Sequence, residues 1–341
     1  MIPFALLLAG ASAQEPAAAK LAPQVQIKSF RTMPELRAIA FAAAPKGSTV
    51  AVSLEDNRVL ILDVARGKVV KTITEHPQNV YGLAWSSDGN FLATGDESAR
   101  MFVWDTRTWK KFKTYRGHQR GIQALDFNNS RSLLISTGKD DVVKVWDAVG
   151  ASASALRTIP GEGANFYGAR FIGKTSNFGV GILSYGAREY SASSGAVLGF
   201  FPTKQSIQDV DYTSDGTRMA AGGRDGVVTV WTPGKRKRLA SLAGHDGWIF
   251  HVRFSPNGRL LASSSDDRTV RIWDTKTFQP VAVLEGQASF GAPLAWTADG
   301  KYLLSVSVAE VLQVFSVTPA QPAAPEKPPK TPKKRNMTAP S

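Results

Sequence analysis

One segment of the chain matches a phosphate-binding loop in its letters. Residues 168–175, GARFIGKT, fit the pattern G-x4-G-K-T. A phosphate-binding loop needs a strand before it and a helix after it, because the helix N-terminus faces the phosphates. Here the residues between Gly168 and Gly173 are themselves strand-like, and the following SNFGVGIL predicts another strand. We therefore expect no nucleotide site at this segment.

The histidines and acidic pairs give little support for catalysis or metal binding. The 341 residues include 4 His and no Cys, which excludes disulfides, thiolate metal sites and Cys nucleophiles. No group of His has the spacing of a metal site, and His251 falls in a strand, where a hydrogen-bonded or channel-facing His is more usual than a ligand. The pairs Asp140-Asp141 and Asp266-Asp267 lie in turns. We expect no catalytic residue, no metal and no small-molecule cofactor.

A repeat of about 42 residues organises the chain. An apolar residue, two positions, an apolar residue, one position and an aromatic recur seven times, although Gly291 replaces the first apolar residue of the last copy. The copies end at Phe41, Trp85, Phe127, Phe171, Tyr212, Phe254 and Trp296. A second marker follows each copy, at Leu62, Trp104, Trp146, Tyr190, Trp231, Trp273 and Phe315. The second markers are 42, 42, 44, 41, 42 and 42 residues apart, a constancy that indicates repeated structural units.

Each unit predicts short β-strands separated by turns. The turns include SSDG at 86–89, TSDG at 213–216, SPNG at 255–258 and TADG at 297–300. No stretch shows sustained helical periodicity, so the fold class is all-β. One antiparallel sheet of four short strands cannot bury both faces alone, whereas stacking seven such sheets around an axis can.

The dipeptides of these units resemble the WD40-repeat family. Trp-Asp stands at 104–105, 146–147 and 273–274, and Gly-His stands at 117–118 and 244–245. The resemblance covers about residues 25–317. It implies a seven-bladed WD40-type β-propeller with four antiparallel strands per blade.

The resemblance also implies structural tetrads, in which His, Ser or Thr, Asp and Trp are joined by hydrogen bonds. Two complete tetrads are expected, His118, Ser136, Asp140 and Trp146 in one blade and His245, Ser263, Asp267 and Trp273 in another. A third unit keeps His76, Thr94 and Trp104 but has Ser98 where the Asp is expected. A fourth has Asp225 and Trp231 with Ala221 and no His.

Closure of the ring can be argued from the two ends of the repeat region. The last unit supplies strands near 290–296, 302–306 and 311–316 and lacks an outer strand. The strand-like VQIKSF at 25–30 precedes the first unit. Because an unpaired sheet edge would otherwise remain, we predict that this N-terminal strand completes the last blade.

The terminal segments predict export and a tail. Residues 1–13, MIPFALLLAGASA, resemble a secretory signal without its positive region, followed by a linker at 14–24. Residues 318–341 are rich in Pro and Lys and predict a disordered tail. We expect export, to a bacterial periplasm, with a cytoplasmic location as the alternative. No apolar run reaches about 18 residues, so no transmembrane segment is expected.

The charge of the chain raises the question of anionic partners. The formal net charge is +13 and the pI about 9.9. By analogy with the family, the c–d turns share one face, and their anion-contact candidates are Lys110, Lys111, Lys235, Arg236, Lys237 and Arg238. The b–c loops are expected on the other, mildly acidic face, with Glu55, Asp56, Asp96, Glu97, Asp141, Asp266 and Glu310. A solvated turn is an equal interpretation of the KRKR run at 235–238.

Aromatic and amide side chains are expected at the mouth of the central channel on that second face. The partner-binding candidates are Tyr81, Gln123, Tyr167, Gln208, Trp248 and Phe250, with Arg120, Lys139 and Arg224 nearby. Aromatic and Arg side chains in a rigid concavity suit the capture of a partner. Packing of Tyr81 and Trp248 between blades is the alternative.

Three functions remain open from the sequence. The main prediction is a non-enzymatic, monomeric scaffold that binds a protein or peptide partner. The first alternative is a binder of anionic surfaces or nucleic acid, and the second is an enzyme with a site at the channel mouth. The fourth unit, 164–202, keeps the spacing but loses the motifs, through drift or through specialisation for contact.

Overall fold

A computed structural model describes residues 25–319 of the protein, except residues 162, 164–165, 184–185 and 289–290. The expected signal at 1–13 and the linker at 14–24 lie outside the described residues. So does the expected tail, except for Thr318 and Pro319, which belong to the last strand.

The described residues form 27 β-strands and one 3₁₀ helix, Pro233–Lys235, so the all-β prediction is confirmed. The first strands are β1 (Val25–Ala43), β2 (Thr49–Leu54), β3 (Val59–Asp63), β4 (Lys68–Ile73), β5 (Val80–Trp85), β6 (Phe91–Asp96), β7 (Met101–Asp105), β8 (Lys110–Tyr115), β9 (Ile122–Phe127), β10 (Leu133–Gly138), β11 (Val142–Asp147) and β12 (Ala155–Pro160). They are followed by β13 (Phe166–Phe171), β14 (Asn177–Ile182), β15 (Gly186–Ser191), β16 (Val197–Pro202), β17 (Ile207–Tyr212), β18 (Met219–Gly223), β19 (Val228–Thr232) and β20 (Lys237–Leu242). The last strands are β21 (Ile249–Phe254), β22 (Leu260–Ser265), β23 (Val270–Asp274), β24 (Pro280–Leu284), β25 (Ala295–Trp296), β26 (Tyr302–Val306) and β27 (Val311–Pro319).

These strands pair in antiparallel sheets that follow the sequence repeat. Five sheets have four strands each, β5–β8, β9–β12, β13–β16, β17–β20 and β21–β24. The sixth has seven strands in the order β25, β26, β27, β1, β2, β3, β4. We number the blades along the chain, with β2–β4 in blade 1 and β25–β27 in blade 7, and β1 shared by both. The five four-stranded sheets are then blades 2 to 6.

The long strand β1 joins the two ends of the repeat region. Its first part, as far as Arg37, pairs with β27, and from Ala38 onward it pairs with β2. The prediction that an N-terminal strand completes the last blade is confirmed. The strand does not end near Phe30, however, because the chain passes through an irregular stretch between Met33 and Arg37 and continues into blade 1. The first strand of the last blade is also shorter than expected, Ala295–Trp296 rather than 290–296.

The innermost strands of the blades contact one another in a closed order, β1, β5, β9, β13, β17, β21, β25 and β1 again. The core lies between neighbouring blades. One apolar cluster, for example, joins Val143 and Ile159 of blade 3 to Phe178 of blade 4. Because each sheet is covered on both faces, the middle strands are apolar almost throughout, as in β14, where only the first residue is not buried. Packing of this kind holds the inner strands and their loops in fixed positions.

The segment that resembles a phosphate-binding loop is a strand and a turn. Gly168 to Phe171 lie in β13, and β14 rather than a helix follows. Gly173 has φ +52°, and a Cβ there would lie 2.9 Å from the backbone N of Gly216. The glycine therefore serves the close approach of two turns.

Candidate functional site

A cavity of about 780 Å³ occupies the centre of the molecule. Its walls come from the innermost strands and from loops at one end of the channel. Six of the predicted partner-binding residues line it: Tyr81, Gln123, Tyr167, Gln208, Trp248 and Phe250. We call these six residues the mouth. The residues predicted from the sequence therefore meet at one cavity. Blades 2, 3, 4 and 5 contribute one residue each, and blade 6 contributes two.

Two aromatic rings of the mouth are exposed and each has a cation beside it. Tyr81 is 37% exposed and Trp248 38%. The Arg224 guanidinium lies 4.0 Å from the Trp248 ring centroid, and the Lys139 ammonium lies 5.6 Å from that of Tyr81. Attraction between a cation and the ring face restrains both partners. The two rings are therefore held with substantial area open to solvent.

The remaining candidates differ in position. Lys139 also forms an ion pair with Glu97 at 2.6 Å, so its charge is partly compensated. Arg120 is exposed but does not line the cavity. Thr137 helps to hold the backbone of the mouth in place, because its hydroxyl donates to the backbone oxygen of Tyr167 at 2.7 Å.

Deeper in the channel lies a group of charged side chains that the sequence analysis did not identify. We call it the channel cluster: Asp126, Arg170, Asp209, Asp211, His251 and Arg253. These residues come from β9, β13, β17 and β21, the inner strands of blades 3 to 6.

Asp209 is the centre of this cluster. It is buried, and its Oδ2 accepts hydrogen bonds from Arg253 Nη1 and from Val252 N, the latter at 3.2 Å. His251 Nδ1 lies 3.2 Å from the same oxygen. Although burial alone would raise it, the nearby Arg253 and His251 hold the pKa of Asp209 well below its usual range. Asp209 is therefore an anion with three donors from the next blade.

The other two carboxylates also bridge adjacent blades. Phe171 N donates to Asp126 Oδ2 and Phe254 N to Asp211 Oδ2, both at 2.7 Å. Arg170 Nε lies 3.8 Å from Asp211 Oδ1. Burial raises the pKa of Asp126 to about 6 and also raises the pKa of Asp211. Three carboxylates thus face two guanidinium groups, and the cluster connects four consecutive blades.

A signal for the channel cluster was present in the sequence. The residue before the closing aromatic of each inner strand is Ala40, Ala84, Asp126, Arg170, Asp211, Arg253 and Ala295 in chain order. Four neighbouring repeats therefore alternate acid and base at one position. Since that position recurs in every repeat, aligning the copies would have placed the four charges side by side.

The tetrads have the following geometry. Trp146 Nε1 donates to Ser136 Oγ at 2.8 Å, and Ser136 Oγ lies 2.6 Å from His118 Nε2. His118 Nδ1 lies 2.8 Å from Asp140 Oδ1. The second tetrad has 2.9 Å from Trp273 to Ser263, 2.8 Å from Ser263 to His245 and 2.8 Å from His245 to Asp267. Burial lowers the pKa of His118 and of His245, so both rings are neutral and well suited to accept from the Ser hydroxyl.

Blade 2 has a complete tetrad that the sequence analysis missed. His76 Nδ1 lies 2.7 Å from Asp96 Oδ2, and His76 Nε2 lies 2.7 Å from Thr94 Oγ1. Asp96 is buried at the end of β6, so its assignment to an exposed acidic loop was wrong. The equivalent residue of blade 3 is Gly138, where a Cβ would lie 2.5 Å from His118 Nδ1. A side chain at this position points at the His, which explains why Asp96 can replace an acid at Ser98.

In blade 5 the tetrad is interrupted. The buried Nε1 of Trp231 has no hydrogen-bond partner in the described structure, because Ala221 stands ten residues before it in place of Ser or Thr. Ala221 pairs with Val210 and Thr229, just as Ser263 pairs with Val252 and Arg271. The backbone around Ala221 is therefore suited to a hydroxyl.

We expect Ala221→Ser to raise the free energy of unfolding by about 1 kcal/mol, because the new Oγ accepts from a buried indole N–H. Urea unfolding followed by fluorescence measures the change. Ala240→Ser, on the outer strand β20, is the control for adding a hydroxyl elsewhere in the blade. A loss of stability in Ala221→Ser would show that the site has no room for the oxygen.

The anion-contact candidates are partly used within the molecule. Lys111 lies 3.3 Å from Glu75 and 4.4 Å from the Phe102 ring centroid. Arg236 donates to the backbone oxygen of Leu198, and Arg238 lies 5.8 Å from the Trp231 ring centroid. Lys110, Lys235 and Lys237 are exposed. Three of the six candidates, Lys111, Arg236 and Arg238, thus have contacts within the molecule.

Within the described ranges, no group of three or more His, Asp or Glu is placed to hold a metal ion. The same part of the chain contains no helix long and apolar enough to cross a membrane.

Comparison with known proteins identifies the repeat. Four segments match the family described as WD domain, G-beta repeat, at residues 67–105, 109–147, 195–232 and 236–274. The chain is a WD40-repeat protein. Each matched segment ends at the third strand of a blade, and these blades are 2, 3, 5 and 6. The WD40 propeller architecture expected from the dipeptides accords with the sheets described above.

Two fungal proteins are similar to parts of the chain. The chain is 34% identical to eukaryotic translation initiation factor 3 subunit I of Aspergillus fumigatus over 104 residues, 30% of each chain. It is 26% identical to the nuclear distribution protein nudF of Aspergillus niger over 192 residues, 48% of this chain and 42% of that protein. The aligned regions thus span less than half of these relatives.

The relatives contradict the expected location. Protein hir1 of Aspergillus terreus, 34% identical over 30% of this chain and 10% of its own length, is a third eukaryotic protein among them. The prediction of an exported protein of the bacterial periplasm is therefore wrong. Its basis was the short apolar segment within residues 1–13.

Proposed function

We propose that this WD40-repeat protein is a non-enzymatic scaffold that binds a protein or peptide partner at the mouth. The observation that carries the proposal is the pair of exposed rings, Tyr81 and Trp248, at the rim of a cavity of about 780 Å³. Large aromatic side chains held in a concavity are the groups that contribute most to protein interfaces.

The rigidity of the mouth supports this proposal. Five of its six residues lie on inner strands that are paired within each blade and packed against the next blade, and Trp248 directly precedes the inner strand β21. The rings of Tyr81 and Trp248 are further restrained by Lys139 and Arg224. A partner therefore binds groups that are already ordered, and the entropic cost of fixing them is small.

The chemistry of the cavity favours binding over catalysis. Asp209, the one carboxylate of the channel cluster that lines the cavity, is engaged by Arg253 and Val252 of the next blade. The other carboxylates of the lining, Glu55 and Glu310, both pair with Arg37. A general base needs a carboxylate or imidazole that can reach a substrate proton. The mouth instead presents the amides of Gln123 and Gln208 together with aromatic rings, and such groups can bind a peptide.

A selection from a phage-displayed library of random peptides tests the proposal. We expect the selected peptides to lose about tenfold or more in affinity for the Trp248→Ala variant, as measured by isothermal titration calorimetry. Phe112→Ala is the control, because Phe112 is an exposed aromatic on the outer strand β8. Peptides whose affinity is unchanged in both Trp248→Ala and Tyr81→Ala would argue against a binding mouth.

The salt dependence of binding separates this function from the anion-binding alternative. Binding through phosphates falls steeply between about 50 and 200 mM salt, because counterions are released. We expect peptide affinity at the mouth to change little over this range. The alternative would be favoured if the protein bound vesicles of anionic lipid and this binding were lost when Lys235 and Lys237 are replaced by Gln.

A further inference from the structure

The outer part of blade 4 has an apolar groove on the side that faces blade 3. The groove has a volume of about 440 Å³ and is lined by Ile159, Pro160, Arg188, Tyr190, Gly195, Val197 and Phe200. It lies on the circumference of the molecule and shares no lining residue with the mouth. The floor is formed by the buried Ile159 and Tyr190, and the rim by exposed side chains.

The rim of this groove is unusually apolar for an outer strand. Val197 is 55% exposed and Phe200 46%, and both lie on β16. The strand VLGFFP has no charged residue and exposes three large apolar side chains, whereas the outer strands β8 and β20 begin with KK and KR, and the uncharged outer strand β24 exposes one, Val283. Charged side chains on edge strands protect them from unwanted association. The combination of an uncharged edge strand with three exposed apolar side chains distinguishes β16 from the other outer strands and suits contact with a partner.

The charge of the groove is positive. Arg188 is its one charged lining residue, and its guanidinium lies 6.0 Å from the Phe200 ring centroid. In the described part of the chain Arg188 forms no ion pair. Arg157 and Lys144 lie on the adjacent strands β12 and β11 of blade 3. A carboxylate that reached Arg188 would thus pair with a guanidinium that the Phe200 ring shields in part from water. A charge-assisted hydrogen bond is strong in such a place.

The positive charge of Arg188 decides which chain segment can occupy the groove. The C-terminal residues 320–341 include Lys327, Lys330, Lys333, Lys334 and Arg335 against Glu326. The chain's own end would therefore bring like charge to Arg188. A symmetric second copy would place one Arg188 near another, with the same unfavourable result.

From the lining and the charge together, we propose that the groove between β12 and β16 binds an acidic segment of another protein. The segment inserts an aliphatic or aromatic side chain against Val197 and Phe200, and an Asp or Glu close to it in sequence pairs with Arg188. The site explains why the fourth repeat keeps its length while losing the WD motifs. Its outer strand serves contact with a partner instead of the usual polar surface.

The test is a peptide selection on a protein whose mouth is inactivated. The bait is the full chain with Trp248→Ala and Tyr81→Ala, so that failure of the mouth proposal does not affect the result. The probes are the peptides selected from a random phage-displayed library and then synthesised. We expect these peptides to combine an apolar anchor with Asp or Glu.

Matched variants of exposed residues locate the binding. Phe200→Ser and Val197→Ser are each expected to lower affinity about tenfold or more. Val283→Ser, at an exposed Val on the outer strand β24 of blade 6, is expected to leave it unchanged. Arg188→Gln is expected to lower affinity to a similar degree and to reduce the effect of salt. Melting temperatures close to that of the parent establish that each variant is folded.

Four outcomes would overturn the proposal. A selection that returns no binding peptide excludes a groove of this kind, and peptides that bind Phe200→Ser as well as the parent place the site elsewhere. Peptides without acidic residues, insensitive to Arg188→Gln, contradict the charge argument. A dimer in sedimentation experiments that dissociates on Phe200→Ser would assign the groove to a second copy of the chain.

Discussion

Arg253→Met is expected to lower the free energy of unfolding by about 3–5 kcal/mol at pH 7. Arg253 donates to Asp209, which is buried and keeps its charge through the donors of blade 6. Met fills a similar volume but leaves the carboxylate without its guanidinium partner. Removing one member of a buried ion pair is costly because the remaining charge is desolvated and uncompensated. Chemical denaturation of the two proteins at equal pH measures the difference.

The pH dependence of this loss has a definite sign. The pKa of Asp209 is lowered in the folded protein, so its contribution to stability is present above the pKa of the unfolded chain and is lost as the pH falls. Without Arg253, the carboxylate can be neutralised by taking up a proton. We therefore expect the difference between Arg253→Met and the parent to shrink between pH 7 and about pH 4.

Two further variants decide whether the ion pair is the cause. Adding Asp209→Asn to Arg253→Met is expected to recover part of the stability, since the double variant has no unpaired charge. Arg259→Met, at an exposed Arg of the same blade, is expected to change stability by less than about 0.5 kcal/mol. A loss in Arg253→Met that is independent of pH and not relieved by Asp209→Asn would mean that packing rather than charge is responsible.

The sequence predicted the blades because their signals are local and repeated. The closing aromatics of the inner strands and the markers such as Trp104 and Trp273 are separated by a constant 19 residues after the first unit. Each is an apolar residue that must be buried, so its position follows from strand alternation alone. The mouth was predicted for the same reason, since Tyr81 and Trp248 have defined places in the repeat and line one cavity.

The channel cluster was missed because the partners of its charged side chains lie in neighbouring blades. His251 contacts Asp209, which is 42 residues away, and Phe254 contacts Asp211, which is 43 residues away. Along the chain these charged residues lie in short strands, and nothing local identifies the partner of each. Only the ring arrangement brings residues one repeat apart to hydrogen-bonding distance, and only burial makes their charges important.

The tetrad of blade 2 was missed because the position of the acid along the chain is less constrained than the direction in which its side chain points. The expected spacing puts the acid 22 residues after the His, where Ser98 stands. Asp96 reaches His76 from the end of the strand, because a side chain at that position already points toward the ring. Two chain positions can therefore supply the same carboxylate, and the backbone geometry decides which of them is used.

Ser136→Ala is the second substitution expected to have a large effect, a loss of about 2–4 kcal/mol. The Ser136 hydroxyl accepts from Trp146 Nε1 and lies 2.6 Å from His118 Nε2. Ala would leave two buried polar atoms without partners, at about 1–3 kcal/mol each. Thermal and urea unfolding measure the loss. Ser152→Ala, at an exposed hydroxyl of the same blade, controls for the substitution itself.

The histidines of the tetrads give this loss a pH context. Burial lowers the pKa of His118 and of His245, so below about pH 6.5 the unfolded chain binds protons that the folded protein does not. These two histidines therefore lower the stability of the parent as the pH falls from 7 to 5, whereas Asp126 and Asp211, whose pKa values are raised, act in the opposite direction. His118→Phe is expected to lose less stability over this range than the parent does, because one of the two histidine contributions is gone and the carboxyl contributions are unchanged. A His118→Phe variant whose stability changes with pH as the parent's does, or a Ser136→Ala variant as stable as Ser152→Ala, would contradict a buried, neutral His that depends on its serine.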